Sequence, residues 1–271
     1  MTTYLQVEQN PSGRDFVVGD VHGHLNQLQS QLEDVDFSPG LDRLFFLGDI
    51  IDRGPDSSAL IQLIDNHTYF SVLGNHEAMM IAAHQNPDAV NLHQSNGGEW
   101  FYRLSDKAQE AIVDKVCSWP WAIELDTYAQ RVGLIHADVP ESSWPKVVEL
   151  LKGVDDAWLA GATFAAPKIA EVANALLWGR SLVKHLYHDV LDLGPRKRTR
   201  FEYMRMFLDR IDRVESVSRD IIQPFNIEGI DAVFIGHSYV PVATKVGNCQ
   251  FLDTYRGDTC EVLSLICINS I

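Results

Sequence analysis

The sequence predicts an α/β fold in which parallel strands are covered by helices, and three observations predict it. In the N-terminal half one arrangement recurs three times: a short apolar run, a glycine, a polar residue, then helical spacing of apolar side chains. The runs are β-branched or aromatic, as strands buried on both faces require. Two later runs end in the same way, at histidines. Strand and helix alternating like this need a parallel sheet with helices against it.

Taken in order, the first strand is Phe16-Val17-Val18 before Gly19-Asp20, and Leu25, Leu28 and Leu32 mark the helix after it. Leu44-Phe45-Phe46-Leu47 precedes Gly48-Asp49, with Leu60, Ile61 and Ile64 on the next helix; Phe70-Ser71-Val72-Leu73 leads into Gly74-Asn75. From Glu77 to Arg131 the chain reads as helical, with Trp100, Phe101, Leu104, Ala108, Ile112 and Val116 on one core-facing stripe. Val154 to Ile169 reads as a loop or short helix. Val132-Gly133-Leu134-Ile135 and Ala232-Val233-Phe234-Ile235-Gly236 are strands ending at His136 and His237. Residues 181–228 read as mainly helical, broken at Gly194-Pro195. Cys249 to Asp253 and Val262 to Ile268 read as a strand pair around Tyr255-Arg256-Gly257-Asp258.

The 271 residues contain no linker, so 1–271 is expected to form one domain. Hydrophobic residues at 46% and charged residues at 22% describe a globular chain. Lys plus Arg number 22 against 37 Asp plus Glu, a net charge of −15 that repels nucleic acid. No apolar run spans a bilayer, and Met1 to Arg14 is too polar for a secretory signal, so no membrane partner and a cytoplasmic location are expected. Cys117, Cys249, Cys260 and Cys267 form no C-x-x-C pair and read as reduced thiols. Oligomeric state is left open.

Asp20, Asp49, Asn75, His136 and His237 would all stand at carboxyl ends of strands, where α/β folds place ligands. With Asp52 and Asp138 nearby, carboxylates crowd one edge, and only cations would relieve their repulsion. Oxygen and imidazole donors without thiolate suit manganese, iron, zinc or nickel, and the donor count fits two ions. Asp20 and His22, at i and i+2, project to the same side of an extended segment and can chelate one ion. Asp49 could bridge to a second, completed by Asn75, His136 and His237. His24, His67, His84, His93, His185 and His188 lack such company and read as ordinary packed or exposed side chains.

Gly19-Asp20-Val21-His22-Gly23, Gly48-Asp49-Ile50-Ile51-Asp52-Arg53-Gly54 and Gly74-Asn75-His76-Glu77 resemble the three signature motifs of the phosphoprotein phosphatase family of metallophosphoesterases, in order. Asp49 follows His22 by 27 positions and Asn75 follows Asp49 by 26. The likeness extends to His136-Ala137-Asp138, Leu177-Trp178-Gly179-Arg180, Phe234-Ile235-Gly236-His237-Ser238, Asn96-Gly97-Gly98-Glu99-Trp100-Phe101 and Phe251-Leu252-Asp253-Thr254, and is nearest to the lambda-phage type of bacterial and phage serine/threonine protein phosphatase. The resemblance implies the four-layer αββα calcineurin-like fold, two mixed β-sheets flanked by helices. It implies Asp20, His22 and Asp49 on one metal ion and Asp49, Asn75, His136 and His237 on the other. Arg53 and Arg180 would hold the substrate phosphate, and His76, oriented by Asp52, would be the general acid. The segment between Arg180 and His237 is longer than that pattern, so 181–228 reads as a helical insertion.

What the resemblance implies chemically is hydrolysis of phosphate monoesters on phosphorylated proteins or peptides, by a hydroxide bridging two divalent ions, manganese first among them. Enzymes accelerate such hydrolysis by up to about 10²¹-fold, near 29 kcal/mol at about 1.36 kcal/mol per decade, more than one side chain supplies. A dinucleoside polyphosphate hydrolase would share the metal core. A noncatalytic binding module would have no need of every ligand together with His76 and both arginines. The one basic concentration, Pro195-Arg196-Lys197-Arg198-Thr199-Arg200 with Arg205, Arg210 and Arg213, reads either as a solvated helix face paired with Glu202, Asp209, Asp212 and Glu215 or as a flap attracting acidic phosphopeptides.

Overall fold

The computed structural model describes residues 2–193, 200–212, 214, 217–255, 257 and 262–270. The chain begins with β1 (Tyr4–Val7) and β2 (Asp15–Val18), then α1 (Leu25–Asp34), β3 (Arg43–Phe46), α2 (Ser57–Leu63), β4 (Tyr69–Ser71) and α3 (Asn75–Gln85). Four helical segments follow α3 before the next sheet is resumed: a 3-10 turn over Pro87–Ala89, α4 (Val90–Ser95), a second 3-10 turn over Gly98–Arg103, and α5 (Asp106–Cys117). Next come β5 (Ala122–Asp126), β6 (Arg131–Ile135), α6 (Trp144–Leu159), α7 (Pro167–Leu176) and α8 (Ser181–His185). After α9 (Arg200–Ile211) and α10 (Arg219–Ile222), the chain ends on β7 (Ala232–Ile235), β8 (Thr244–Val246), β9 (Cys249–Phe251) and β10 (Leu265–Cys267).

Two mixed sheets result, one of six strands in the order β1-β5-β6-β7-β9-β8 and one of four in the order β10-β2-β3-β4. The period-2 alternation of the strands explains why they stack. Val17, Phe45, Leu47, Phe70 and Val72 of the smaller sheet share one buried cluster with Ile123, Leu125, Val132, Leu134 and Phe234 of the larger. Their neighbours Phe16, Val18, Leu44, Phe46, Ile135 and Val233 belong instead to the cluster containing Leu28 of α1, Leu60 of α2 and Trp144, Val147 and Leu151 of α6. This is the four-layer arrangement of helices, sheet, sheet and helices. Burial of each Phe, Val or Leu in those layers contributes about 1.5 to 3 kcal/mol, so the stacking of the two sheets is strongly held.

Local signals set several boundaries. Ser143 caps α6, its hydroxyl accepting from Lys146 N at 3.4 Å, and Pro167 opens α7 in the first turn, where its missing N–H costs nothing. The strands ending at Asp20, Asp49 and Asn75 lie in one of the two mixed sheets and those ending at His136 and His237 in the other. The structure also corrects three expectations. The stretch 77–131 is interrupted by β5, and 154–169 holds the end of α6, a turn and the start of α7. The C-terminal strands do not pair with each other: β9 joins β7 and β8, whereas β10 runs antiparallel to β2. Gly194-Pro195, Arg196, Lys197, Arg198, Thr199, Arg213, Glu215, Arg256, Asp258 and Cys260 lie outside the described residues, as does the side chain of Arg200. Among the described residues no helix is long and apolar enough to cross a membrane.

Candidate metal centre

The carboxyl ends of β2, β3, β4, β6 and β7 meet at one edge of the two sheets, and there the backbone leaves ordinary conformations. Five of the residues with positive φ are His22 (46°), Asp49 (49°), Asp52 (70°), Arg53 (66°) and His237 (62°). Side chains that would otherwise follow the strand are turned into the cleft, a strain of about 1 to 3 kcal/mol each that the surrounding structure must hold. Glycines make the approach possible. A Cβ on Gly74 would stand 2.3 Å from Asp49 N and Oδ1, and Gly48, at φ 84°, backs onto Gly74 and His136.

All six expected ligands are buried there. Asp49 belongs to two groups whose donor atoms lie within 4.8 Å of one another, one with His22 and His76, the other with His136 and His237. Asp20 Oδ2 is 4.0 Å from His22 Nε2, and Asp20 Oδ1 accepts from His237 N at 3.0 Å. Asn75 Oδ1 lies 2.9 Å from His136 Nε2 and 2.8 Å from His237 Nδ1. The ring orientations are set from behind: His22 Nδ1 donates to Ile51 O at 3.0 Å and His136 Nδ1 to Leu47 O at 2.7 Å, which leaves both Nε2 lone pairs facing the cleft.

These residues fit cations. Burial lowers the His22 pKa to about 3 and depresses that of His136, so both rings are neutral donors. The His136 lone pair then meets the Asn75 carbonyl oxygen with no proton between them, and His237 Nε2 is buried with no hydrogen-bond partner. Burial, with the neighbouring His136, lowers His237 to about 2. Burial alone would raise Asp49, but the histidines around it hold its carboxyl well below the usual range. Converging lone pairs and an ionised carboxylate, without protons to share, are what divalent ions require.

His76 sits beside ligand Asn75 with its Nδ1 2.7 Å from Asp52 Oδ2, and its Nε2 accepts from Arg53 Nη2 at 3.1 Å. Burial works against a charged imidazole here, yet Asp49 and Asp52 outweigh it and the pKa is raised. Arg53 also donates from Nη1 to His22 Nε2 at 2.6 Å. Arg180 is exposed at the start of α8, and its charge reaches His136 and His237. Asp138, expected to crowd the carboxylate edge, instead accepts from Ser181 N at 2.5 Å and Leu182 N at 3.3 Å, capping the turn that carries Arg180.

Sequence reasoning missed two buried groups. Glu77 Oε2 accepts from Asp49 N at 2.9 Å and Gly74 N at 3.0 Å, and its Oε1 accepts from Ile50 N at 3.0 Å and Ile51 N at 3.4 Å. Burial and the Asp49 charge push its carboxyl up to about 8 against the pull of those donors. Its place three residues after Gly74, in the first turn of α3, was the available signal. His93, read as an ordinary histidine, has its Nε2 3.2 Å from Asp52 Oδ1, beside Trp100 Nε1 at 2.8 Å.

Residues 16–241 match the family model of the calcineurin-like phosphoesterases. Over 146 residues the chain is 36% identical to serine/threonine-protein phosphatase 2 of Escherichia coli, a stretch covering 53% of this chain and 66% of that protein, slightly under two thirds of its length. Over 151 residues it is 32% identical to the symmetrical bis(5'-nucleosyl)-tetraphosphatase of Pseudomonas putida, covering 52% of this chain and 48% of that one. The solved structure of the cold-active protein-tyrosine phosphatase of a psychrophilic Shewanella shares the fold: it aligns with 99% of this chain and 78% of its own at 16% identity and a TM-score of 0.57.

Proposed function

The chain belongs to the calcineurin-like phosphoesterase family, and on that premise we propose that it is a metal-dependent phosphomonoesterase acting on phosphorylated serine and threonine side chains of proteins or peptides. The observation that carries the reading is Asp49, whose carboxylate is common to two groups of donor side chains, one with His22 and His76 and the other with His136 and His237. In this reading Asp20, His22 and Asp49 would hold one divalent ion, and Asp49, Asn75, His136 and His237 would hold the other. Two such ions would supply Lewis acidity to phosphoryl oxygens and would bring the pKa of water from 15.7 toward about 7. We assign manganese on the donor set, with iron, zinc or nickel as the competing ions.

The rest is done by side chains. Arg53 and Arg180 offer planar forks that match phosphate oxygens, and an arriving phosphate would draw Arg53 away from the two imidazoles it now bridges. With Arg53 drawn off, Nε2 of His76, whose Nδ1 is tied to Asp52, is free to take a proton from solvent and give it to the departing seryl or threonyl oxygen, a contribution of about 10² to 10⁴-fold. We also propose that 181–228 is an insertion in a single domain, and that the enzyme works in the reducing cytoplasm, in keeping with the thiol form of Cys117 and Cys249.

Steady-state kinetics on phosphoserine and phosphothreonine peptides beside diadenosine tetraphosphate, with metal content measured on the same sample, test the reading. We expect kcat/KM on a peptide to exceed that on the dinucleotide at least about tenfold, each decade being about 1.36 kcal/mol of transition-state discrimination. The reverse order would assign the chain to the dinucleotide chemistry named for its Pseudomonas relative.

A further inference from the structure

Asp52 has no exposed surface, and its carboxylate is fully engaged. Oδ2 meets His76 Nδ1 at 2.7 Å; Oδ1 meets Trp100 Nε1 at 2.8 Å and His93 Nε2 at 3.2 Å. An ionised carboxylate only accepts, so each of the three nitrogens must carry a hydrogen. That fixes the buried His93 as its Nε2–H form, and its Nδ1, 2.9 Å from the Tyr102 hydroxyl, becomes an acceptor. Burial and the Asp52 charge push the Tyr102 phenol up to about 12, so it remains a donor. Tyr102, His93, Asp52 and His76 thus form one connected chain, its donors converging on Asp52 from both sides, and its inner end is the His76 edge in the cleft.

The neighbouring backbone is built around this chain. A Cβ on Gly98 would stand 2.2 Å from His93 Nε2, so any side chain there would drive the imidazole off Asp52. Gly97 supplies its carbonyl to Arg53 N at 3.3 Å, docking the same segment under the Asp52-Arg53 turn. The paired glycines therefore serve two neighbouring contacts of the site.

We infer that His93 is a positioning residue for ester hydrolysis: with Trp100 it locks Asp52 so that His76 keeps its Nε2 edge at the cleft. The inference rests on the reading of His76 as the proton donor to the leaving oxygen. Nε2 of His76 lies only 3.8 Å from Asp49 Oδ2, so a carboxylate free to turn would let the ring swing toward the ligands and away from the leaving group. A core-filling histidine would have no need of the donor, since its ring already packs on Phe101 and Tyr102 at 5.9 and 5.6 Å.

The test is a double-mutant cycle on the manganese-loaded enzyme, comparing wild type, His93→Leu, His76→Asn and the double variant on a phosphothreonine peptide and on p-nitrophenyl phosphate. His93→Leu should lower kcat on the peptide by about 10 to 100-fold, part of the usual general-acid contribution, with KM and nitrophenyl turnover changed less than about threefold. In the His76→Asn background the same substitution should cost under about threefold, and His93→Gln, which keeps a donor, should recover much of the loss. Equal losses on both substrates, or losses that multiply in the double variant, would overturn the inference. If His76→Asn itself shows no leaving-group dependence, the acid reading has failed and the inference falls with it, a distinguishable outcome. Should His93→Leu not fold, ¹⁵N NMR of the wild-type imidazoles decides: protonation of His93 at Nε2, with an Nδ1 shift in Tyr102→Phe, is expected, and the opposite tautomer would overturn it.

Discussion

Removing the Glu77 carboxylate should weaken the fold at the point where the proposed metal ligands are held. Glu77→Ala leaves three well-formed donors unpaired in the interior, Asp49 N, Ile50 N and Gly74 N, with the longer contact to Ile51 N as a fourth. A buried donor deprived of its acceptor costs about 1 to 3 kcal/mol, so the three together amount to about 3 to 9 kcal/mol. Domain stabilities are about 5 to 15 kcal/mol, so the variant should approach the limit of folding. Water entering the vacated space would bring the cost toward the low end. Glu77→Gln keeps the volume and one acceptor oxygen but sets an amide NH₂ against two backbone donors, and should fall between wild type and alanine. Guanidinium denaturation in the presence of a chelator reads these differences without the masking effect of bound ions. An alanine variant within about 1 kcal/mol of wild type would refute the argument that Glu77 is the anchor of the Asp49 turn.

Asp49→Asn should weaken binding of both ions and abolish most activity, because its carboxylate serves both donor groups; metal stoichiometry by mass spectrometry that stays at wild-type level would contradict a shared ligand. Asp138→Ala should raise the inhibition constant of inorganic phosphate and lower Tm by about 2 to 4 °C, the effect of losing a cap worth about 1 kcal/mol, since Asp138 holds the backbone immediately after Arg180. An unchanged phosphate affinity would separate Arg180 from the phosphate. Asp42 has its pKa depressed, burial being outweighed by the Arg14 side chain and backbone donors, so protons bind the unfolded chain more readily as pH falls. Its stabilisation is then fully present above the unfolded value near 3.9 and lost below it, and the Tm gap between wild type and Asp42→Asn should be constant above about pH 5 and shrink below about pH 4.

The residues proposed as ligands were legible as a strand-end cluster because each is attached to a strand with an unmistakable interior: Val17 and Val18 carry Asp20, Phe45 and Phe46 carry Asp49, Phe234 and Ile235 carry His237. What those runs do not encode is which sheet they join. Ile135 and Phe46 have the same local chemistry, and only the shared layer of Phe45, Phe70, Leu134 and Phe234 decides that β6 and β7 stack on β3 and β4 instead of extending them. The C-terminal strands failed for the same reason, since the partner of β10 is β2, some 250 positions earlier by its Asp15 N to Asn269 contact at a separation of 254.

Side chains that support the site from behind were the least legible, and the cause is physical. A ligand must be a donor at a strand end, a strong local constraint, whereas a supporting residue needs only to reach one atom from any element. His93 reaches Asp52 across 41 positions from a two-turn helix, and its one local trace is the glycine at 98 that gives it room. Asp138 follows directly on the His136 strand end and yet turns away, because the first turn of α8 offers it two N–H groups that the crowded carboxylate edge cannot. The left-handed residues His22, Asp49, Asp52, Arg53 and His237 break local preference together, and the groups that hold them, Glu77 on the Asp49 turn and Ser57 on Asp52 N, are buried partners drawn from helices. Local rules fail where several segments must be held against their own preference, and here that failure coincides with the proposed metal-ligand cluster.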